Sequence, residues 1–136
     1  MRKTRRGIVR LKLIGPSALL VLLLAGCAAS QQFQAVPAAL DRDMVPKESF
    51  NMTAEHFRFV PDHIRVKQGT LVTIKVHSID GTHGFGMGDF GIDETIGENE
   101  TKAIEFYAQK PGEYTFRCSH LCGLGHLGMT GKITVE

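Results

Sequence analysis

Residues 118–129 read Cys-Ser-His-Leu-Cys-Gly-Leu-Gly-His-Leu-Gly-Met, a C-x3-C-x3-H-x2-M spacing. Two thiols, an imidazole and a thioether so close together are a soft donor set, which selects copper, zinc or iron over the hard, oxygen-seeking cations. Glycines at 123, 125 and 128 tolerate backbone dihedrals closed to other residues and let the chain fold around a small centre. The stretch is therefore a metal-binding loop, with Cys118, Cys122, His126 and Met129 as donors. Bland readings compete for each residue. Cys118 and Cys122 could pair as a disulfide in an oxidising compartment, Met129 could fill a gap in the core, and His126 could be a surface histidine. Taken singly they leave the coincidence of donors unexplained.

Other chemistries find no residues to carry them. There is no Ser/His/Asp set with a nucleophile elbow, no phosphate-cradling loop and no paired-carboxylate motif. His56, His63 and His77 are assigned structural or surface roles, and Met87 is assigned to loop packing.

The chain has 136 residues. It opens with Arg2, Lys3, Arg5, Arg6, Arg10 and Lys12, followed by the apolar run Ala18-Leu19-Leu20-Val21-Leu22-Leu23-Leu24-Ala25. A basic n-region before a short apolar h-region is an export signal, and the run is shorter than the ~20 residues a spanning helix needs. Leu24-Ala25-Gly26-Cys27 resembles a bacterial lipobox, so residues 1–26 are expected to be a lipoprotein signal peptide and Cys27 the lipidated residue that holds the protein to the membrane. The expected location is the periplasmic face of a bacterial cell membrane. Thr4-Arg5-Arg6-Gly7 also looks like a twin-arginine signal, which leaves the export route open. Without the leader, 10 Lys and Arg stand against 14 Asp and Glu, a net charge of −4 that disfavours nucleic acid as a partner.

The donors must be held by the rest of the chain. Residues 27–47 show no period and contain Pro37 and Pro46, the composition of a flexible tether. From residue 48 short β segments alternate with turn signals. Phe57 and Phe59 fall on one face of a strand before a turn at Pro61-Asp62, and Val72, Ile74 and Val76 form the better core face of the next long strand. Residues 81–91 read as a glycine-dense loop, 103–107 and 114–117 as strands, and 131–135 as the last strand. No segment has helical amphipathicity. The prediction is an all-β domain over residues 48–136, a Greek-key β-sandwich.

Phe57-Arg58-Phe59-Val60-Pro61, Val66-Lys67-Gln68-Gly69, Asp80-Gly81-Thr82-His83-Gly84-Phe85, Pro111-Gly112-Glu113-Tyr114 and the 118–129 loop together resemble the copper-A (CuA) cupredoxin domain. That family includes the soluble domain of cytochrome c oxidase subunit II and the electron-entry domain of nitrous-oxide reductase. The resemblance implies a binuclear copper centre. His83 and His126 would each ligate one copper ion, Cys118 and Cys122 would bridge both, and Met129 and the backbone carbonyl of His120 would be weak axial ligands. The family has a glutamate where this chain has His120; a carbonyl ligand does not depend on its side chain. The chain also lacks the transmembrane hairpin common in oxidase subunit II, which suggests a freestanding, lipid-tethered version. The implied role is electron transfer from a c-type cytochrome or small copper protein to a membrane oxidase or reductase, as an electron carrier with no substrate chemistry of its own. A mononuclear blue-copper carrier, a copper-delivery protein for oxidase assembly and a structural zinc site remain as alternatives.

Overall fold

A computed structural model of the chain describes residues 35–136. The expected signal peptide, Cys27 and the first part of the expected tether lie outside the described residues. Nine strands follow: β1 (Lys47–Glu55), β2 (Arg58–Val60), β3 (His63–Val66), β4 (Leu71–Ser78), β5 (His83–Met87), β6 (Ile92–Ile96), β7 (Thr101–Tyr107), β8 (Gly112–Arg117) and β9 (Thr130–Val135). The described helices are two short 3-10 turns, Gly88–Phe90 and His126–Gly128.

The strands make two sheets, ordered β2-β1-β4-β7 and β3-β9-β8-β5-β6. The chain crosses repeatedly between them, so β1 pairs parallel with β4 and β3 parallel with β9, while the other ladders are antiparallel. This is the all-β sandwich expected of the pattern. Val72, Ile74 and Val76 are buried as their alternation requires. The stretch read as tether touches the domain before β1 begins: the N–H of Tyr107 donates to the Ala35 carbonyl at 2.7 Å, and that of Leu71 to the Pro46 carbonyl at 2.8 Å.

Two local expectations need correction. Residues 83–87, read as part of a glycine loop, form β5, in which every residue is buried. Glycine counts against a strand when a side chain must pack, but here its absence of bulk is what the neighbours use. A Cβ on Gly84 would collide with the His120 nitrogen and Ser119 Oγ, and one on Gly86 would stand 3.0 Å from Ser119 Cβ. The two glycines let residues 119 and 120 lie flat against β5. Phe57 and Phe59 likewise do not share a strand face. The chain turns between β1 and β2, so Phe59 is buried at 1% exposure and Phe57 stands at 37%.

The core beneath β5 and β8 is aromatic. Phe85 and Phe116 stack with centroids 5.0 Å apart and planes at 19°, and Phe59 meets both rings edge-on at 5.9 and 5.2 Å. Because side chains two apart on a strand share a face, Phe85 sets the direction of His83, and Phe116 that of Cys118. Pairs of this kind contribute about 0.5–1.5 kcal/mol each beyond their buried area. Phe116→Ala is expected to cost about 3–5 kcal/mol of stability, read from denaturant unfolding with an unchanged m-value.

Candidate metal centre

Two chain segments meet at one end of the sandwich. His83 is the first residue of β5, buried completely. Cys118 directly follows β8, and the loop it opens runs to Met129, just before β9. Since β8 and β9 are paired neighbours, their ladder continues into the loop: the Cys118 N–H donates to the Met129 carbonyl at 2.9 Å. Within the loop, the N–H of His126 donates to the Gly123 carbonyl at 3.1 Å and that of Gly128 to the Gly125 carbonyl at 3.0 Å.

The donor atoms converge. Cys118 Sγ and Cys122 Sγ stand 3.5 Å apart as free thiols. His83 Nδ1 lies 4.0 Å from Cys118 Sγ, and His126 Nδ1 lies 3.8 Å from Cys122 Sγ. Met129 Sδ is 3.9 Å from Cys122 Sγ, and the His120 carbonyl accepts from the Cys118 thiol at 3.0 Å. All six positions singled out in the sequence are thus brought to one place, His120 by its backbone oxygen while its side chain is exposed. A further N–H, from Gly84, points at Cys118 Sγ at 3.4 Å. His63 and His77 stand apart, hydrogen-bonded to Thr134 Oγ1 at 2.8 Å and to Thr101 Oγ1 at 2.9 Å. Met87 is buried in the core rather than packed in a loop.

Two contributors went unrecognised as such in the sequence. His83 Nε2 lies 3.1 Å from both the Asp80 carbonyl and Asp80 Oδ1. Two acceptors on that nitrogen place the ring proton there and leave Nδ1 with its lone pair toward the sulfurs, the tautomer a metal needs. Asp80 is held in turn by His56. Both carboxylate oxygens accept from the His56 backbone N–H at 3.1 Å, and Oδ2 lies 3.0 Å from His56 Nδ1. Partial burial acts to raise the Asp80 pKa, but the His56 N–H and the two imidazoles outweigh it and hold the carboxyl below its ordinary value. Asp80 sits three residues before His83, and that spacing was the available signal. Nothing local to His56 could have linked it to a residue 24 positions away.

Among the described residues, His83, Cys118 and Cys122 offer ligand atoms within 4.8 Å of one another. The donor set fits a soft transition metal: two sulfurs and two imidazole nitrogens, with a thioether and a carbonyl beside them. Burial, followed by the neighbouring Cys118 thiol, pushes the Cys122 thiol up to about 11. The Cys122 thiol is therefore protonated at neutral pH in metal-free protein, and metal uptake at its sulfur would release that proton. A pKa raised from 9.0 to about 11 means that the unfolded chain gives up its proton first as pH rises. Metal-free protein is expected to lose stability between about pH 9 and pH 11, and Cys122→Ser to lack that part of the decline, in denaturant unfolding at stepped pH.

Over 80 residues the chain is 35% identical to cytochrome c oxidase subunit 2 of Thermus thermophilus, covering 59% of each protein. Over 89 residues it is 35% identical to nitrous-oxide reductase of Stutzerimonas stutzeri, covering 62% of this chain and 14% of the reductase. The chain thus spans about three fifths of that oxidase subunit and a small part of the reductase. Among solved structures it superposes on a chain of a heme-copper terminal oxidase dimer with a TM-score of 0.63 at 26% identity, covering 71% of this chain and 69% of that one. It also superposes on the metal-binding domain of the Streptococcus pneumoniae Cu(I)-exporting P-type ATPase CopA, solved with Cu(I), with a TM-score of 0.58 at 25% identity, covering 76% and 97%. The cupredoxin-like domain family matches over residues 17–135, and the chain, with its two-sheet sandwich, belongs to that family.

Proposed function

We propose that this chain is a lipid-tethered electron carrier whose loop 118–129, together with His83, holds a pair of copper ions. It would take single electrons from a c-type cytochrome or small copper protein and pass them to a terminal oxidase or reductase. One observation carries the reading: imidazole nitrogens approach a pair of unlinked thiols 3.5 Å apart from two sides, one from β5 and one from the loop itself. The relatedness to oxidase subunit II and to nitrous-oxide reductase supports the same assignment. Copper held by two thiolates supplies a one-electron couple.

The protein's contribution is to keep the donors still. Cys118 is pinned by the ladder to Met129 and by the Gly84 N–H. His83 is oriented by Asp80, and its burial excludes water from that side. The opposite side faces outward. Leu121 and Leu127 are 77% and 91% exposed, Leu124 is fully exposed, and residues 118–129 contain no Asp, Glu, Lys or Arg. Uncharged apolar side chains projecting beside His126 are what a transient partner would cover on approaching the ligand loop.

Copper delivery is the second reading, favoured by the likeness to the CopA domain solved with Cu(I). Copper stoichiometry and the paramagnetic resonance spectrum of purified protein separate the two. An electron carrier binds about two coppers per chain, shares one unpaired spin over both nuclei, and loses that signal in Cys122→Ser. A delivery protein hands its copper rapidly to an acceptor and exchanges electrons poorly. A blue-copper site confines the spin to one nucleus, and a zinc site has no redox band. In the carrier, Leu124→Ser combined with Leu127→Ser is expected to leave the spectrum intact and slow electron exchange with a c-type cytochrome about tenfold, equivalent to roughly 1.4 kcal/mol, in stopped-flow mixing.

A further inference from the structure

The turn between β1 and β2 touches both halves of the ligand set without supplying a ligand. Its two central residues, His56 and Phe57, pack edge to face with centroids 4.8 Å apart. His56 addresses β5. Its backbone and ring hold the Asp80 carboxylate that orients His83, and its own ring lies 5.5 Å from that of His83. Phe57 addresses the loop. A Cβ on Gly125 would run into Cβ, Cγ and Cδ2 of Phe57, and one on Gly123 would stand 2.9 Å from its Cε1. The Phe57 ring therefore lies directly on the backbone between Cys122 and His126.

That backbone has little else to hold it. Its ends are secured at Cys118 and Met129, which are buried, but no residue from 119 to 128 is buried. The leucines point to solvent, and three of the ten residues are glycine, which restrains the chain least. Gly123 also adopts φ +135°, closed to other residues. A segment without buried side chains opens locally at little cost. Yet it carries Cys122 and His126, whose placement decides whether the centre keeps its shape.

We propose that the His56–Phe57 turn is a clamp setting the position of the loop relative to β5. Phe57 is the positioning residue for Cys122 and His126, and His56 positions His83 through Asp80. The role in the loaded protein rests on the copper-pair reading; the effect on the loop does not. The glycines at 123 and 125 are then required by contact as well as by conformation, since the ring occupies the space of their side chains.

The test uses the full-length chain with Phe57→Ala, Phe57→Leu and His56→Gln. In metal-free protein, exchange of the loop amides of His126 and Gly128, which are bonded to the Gly123 and Gly125 carbonyls, should quicken at least tenfold in Phe57→Ala and be partly restored by Phe57→Leu, with β8 and β9 unchanged. In copper-loaded protein, Phe57→Ala should weaken copper affinity about 10–100-fold in competition with a chelator, the loss typical when a group that orients metal ligands is removed, and should quicken copper release. The copper hyperfine pattern should shift as well. His56→Gln should quicken release while leaving loop exchange near that of the parent. Unchanged loop exchange in Phe57→Ala overturns the clamp, as does an equal rise across both sheets, which marks a general loss of stability. Slower partner electron exchange with unaltered loop exchange and copper release overturns it too, because Phe57 would then be a docking residue. Failure of the copper-pair reading shows separately, as the absence of a shared-spin signal in the parent protein.

Discussion

Two sulfur atoms 3.5 Å apart at the rim of a β-sandwich are the constraint around which this domain is built. Burial and the neighbouring Cys118 thiol make the Cys122 thiolate costly without a cation, as its raised pKa records. A metal ion held by these donors would offset that cost by taking the place of the proton on sulfur. The pair is set by pairing that begins far from the site: β8 and β9 run antiparallel from Gly112 and Val135, and their register delivers Cys118 opposite Met129. The loop between them needs to close only a short gap.

The two sides of the centre are stabilised differently. On the β5 side, His83 is buried, stands two residues from the Phe85–Phe116 stack and has its outer nitrogen engaged by Asp80. That side is rigid because movement would disturb a packed core. On the loop side, Cys122 and His126 lie on a glycine-rich backbone under the ring of Phe57, with exposed leucines beyond. A carrier gains from this division: a fixed, dry side restricts rearrangement, and an open, apolar side admits a partner. The histidine at position 120 fits the same scheme, since its carbonyl accepts from the Cys118 thiol while its side chain is exposed.

Glycine has opposite meanings on the two sides. In β5, Gly84 and Gly86 make room for Ser119 and the start of the loop, so part of the glycine-rich stretch 81–91 is a buried strand. In the loop, Gly123 and Gly125 make room for an aromatic ring. Composition cannot distinguish these cases, because both arise from what another part of the chain places against the missing side chain.

The donor set and the sandwich were legible in the sequence because both rest on local signals. The C-x3-C-x3-H-x2-M spacing confines four candidate donors to one loop, and the alternation of Val72, Ile74 and Val76 declares a half-buried strand whatever its neighbours are. His83 was identified through its motif, but its approach to sulfurs 35 residues away depended on β5 lying beside β8. The partnership of His56 with Asp80, the place of Phe57 over two distant glycines and the strand at 83–87 were decided by tertiary structure alone. Each is a contact between segments far apart in the chain, and no local preference for helix, strand or turn carries information about which surface a side chain will meet.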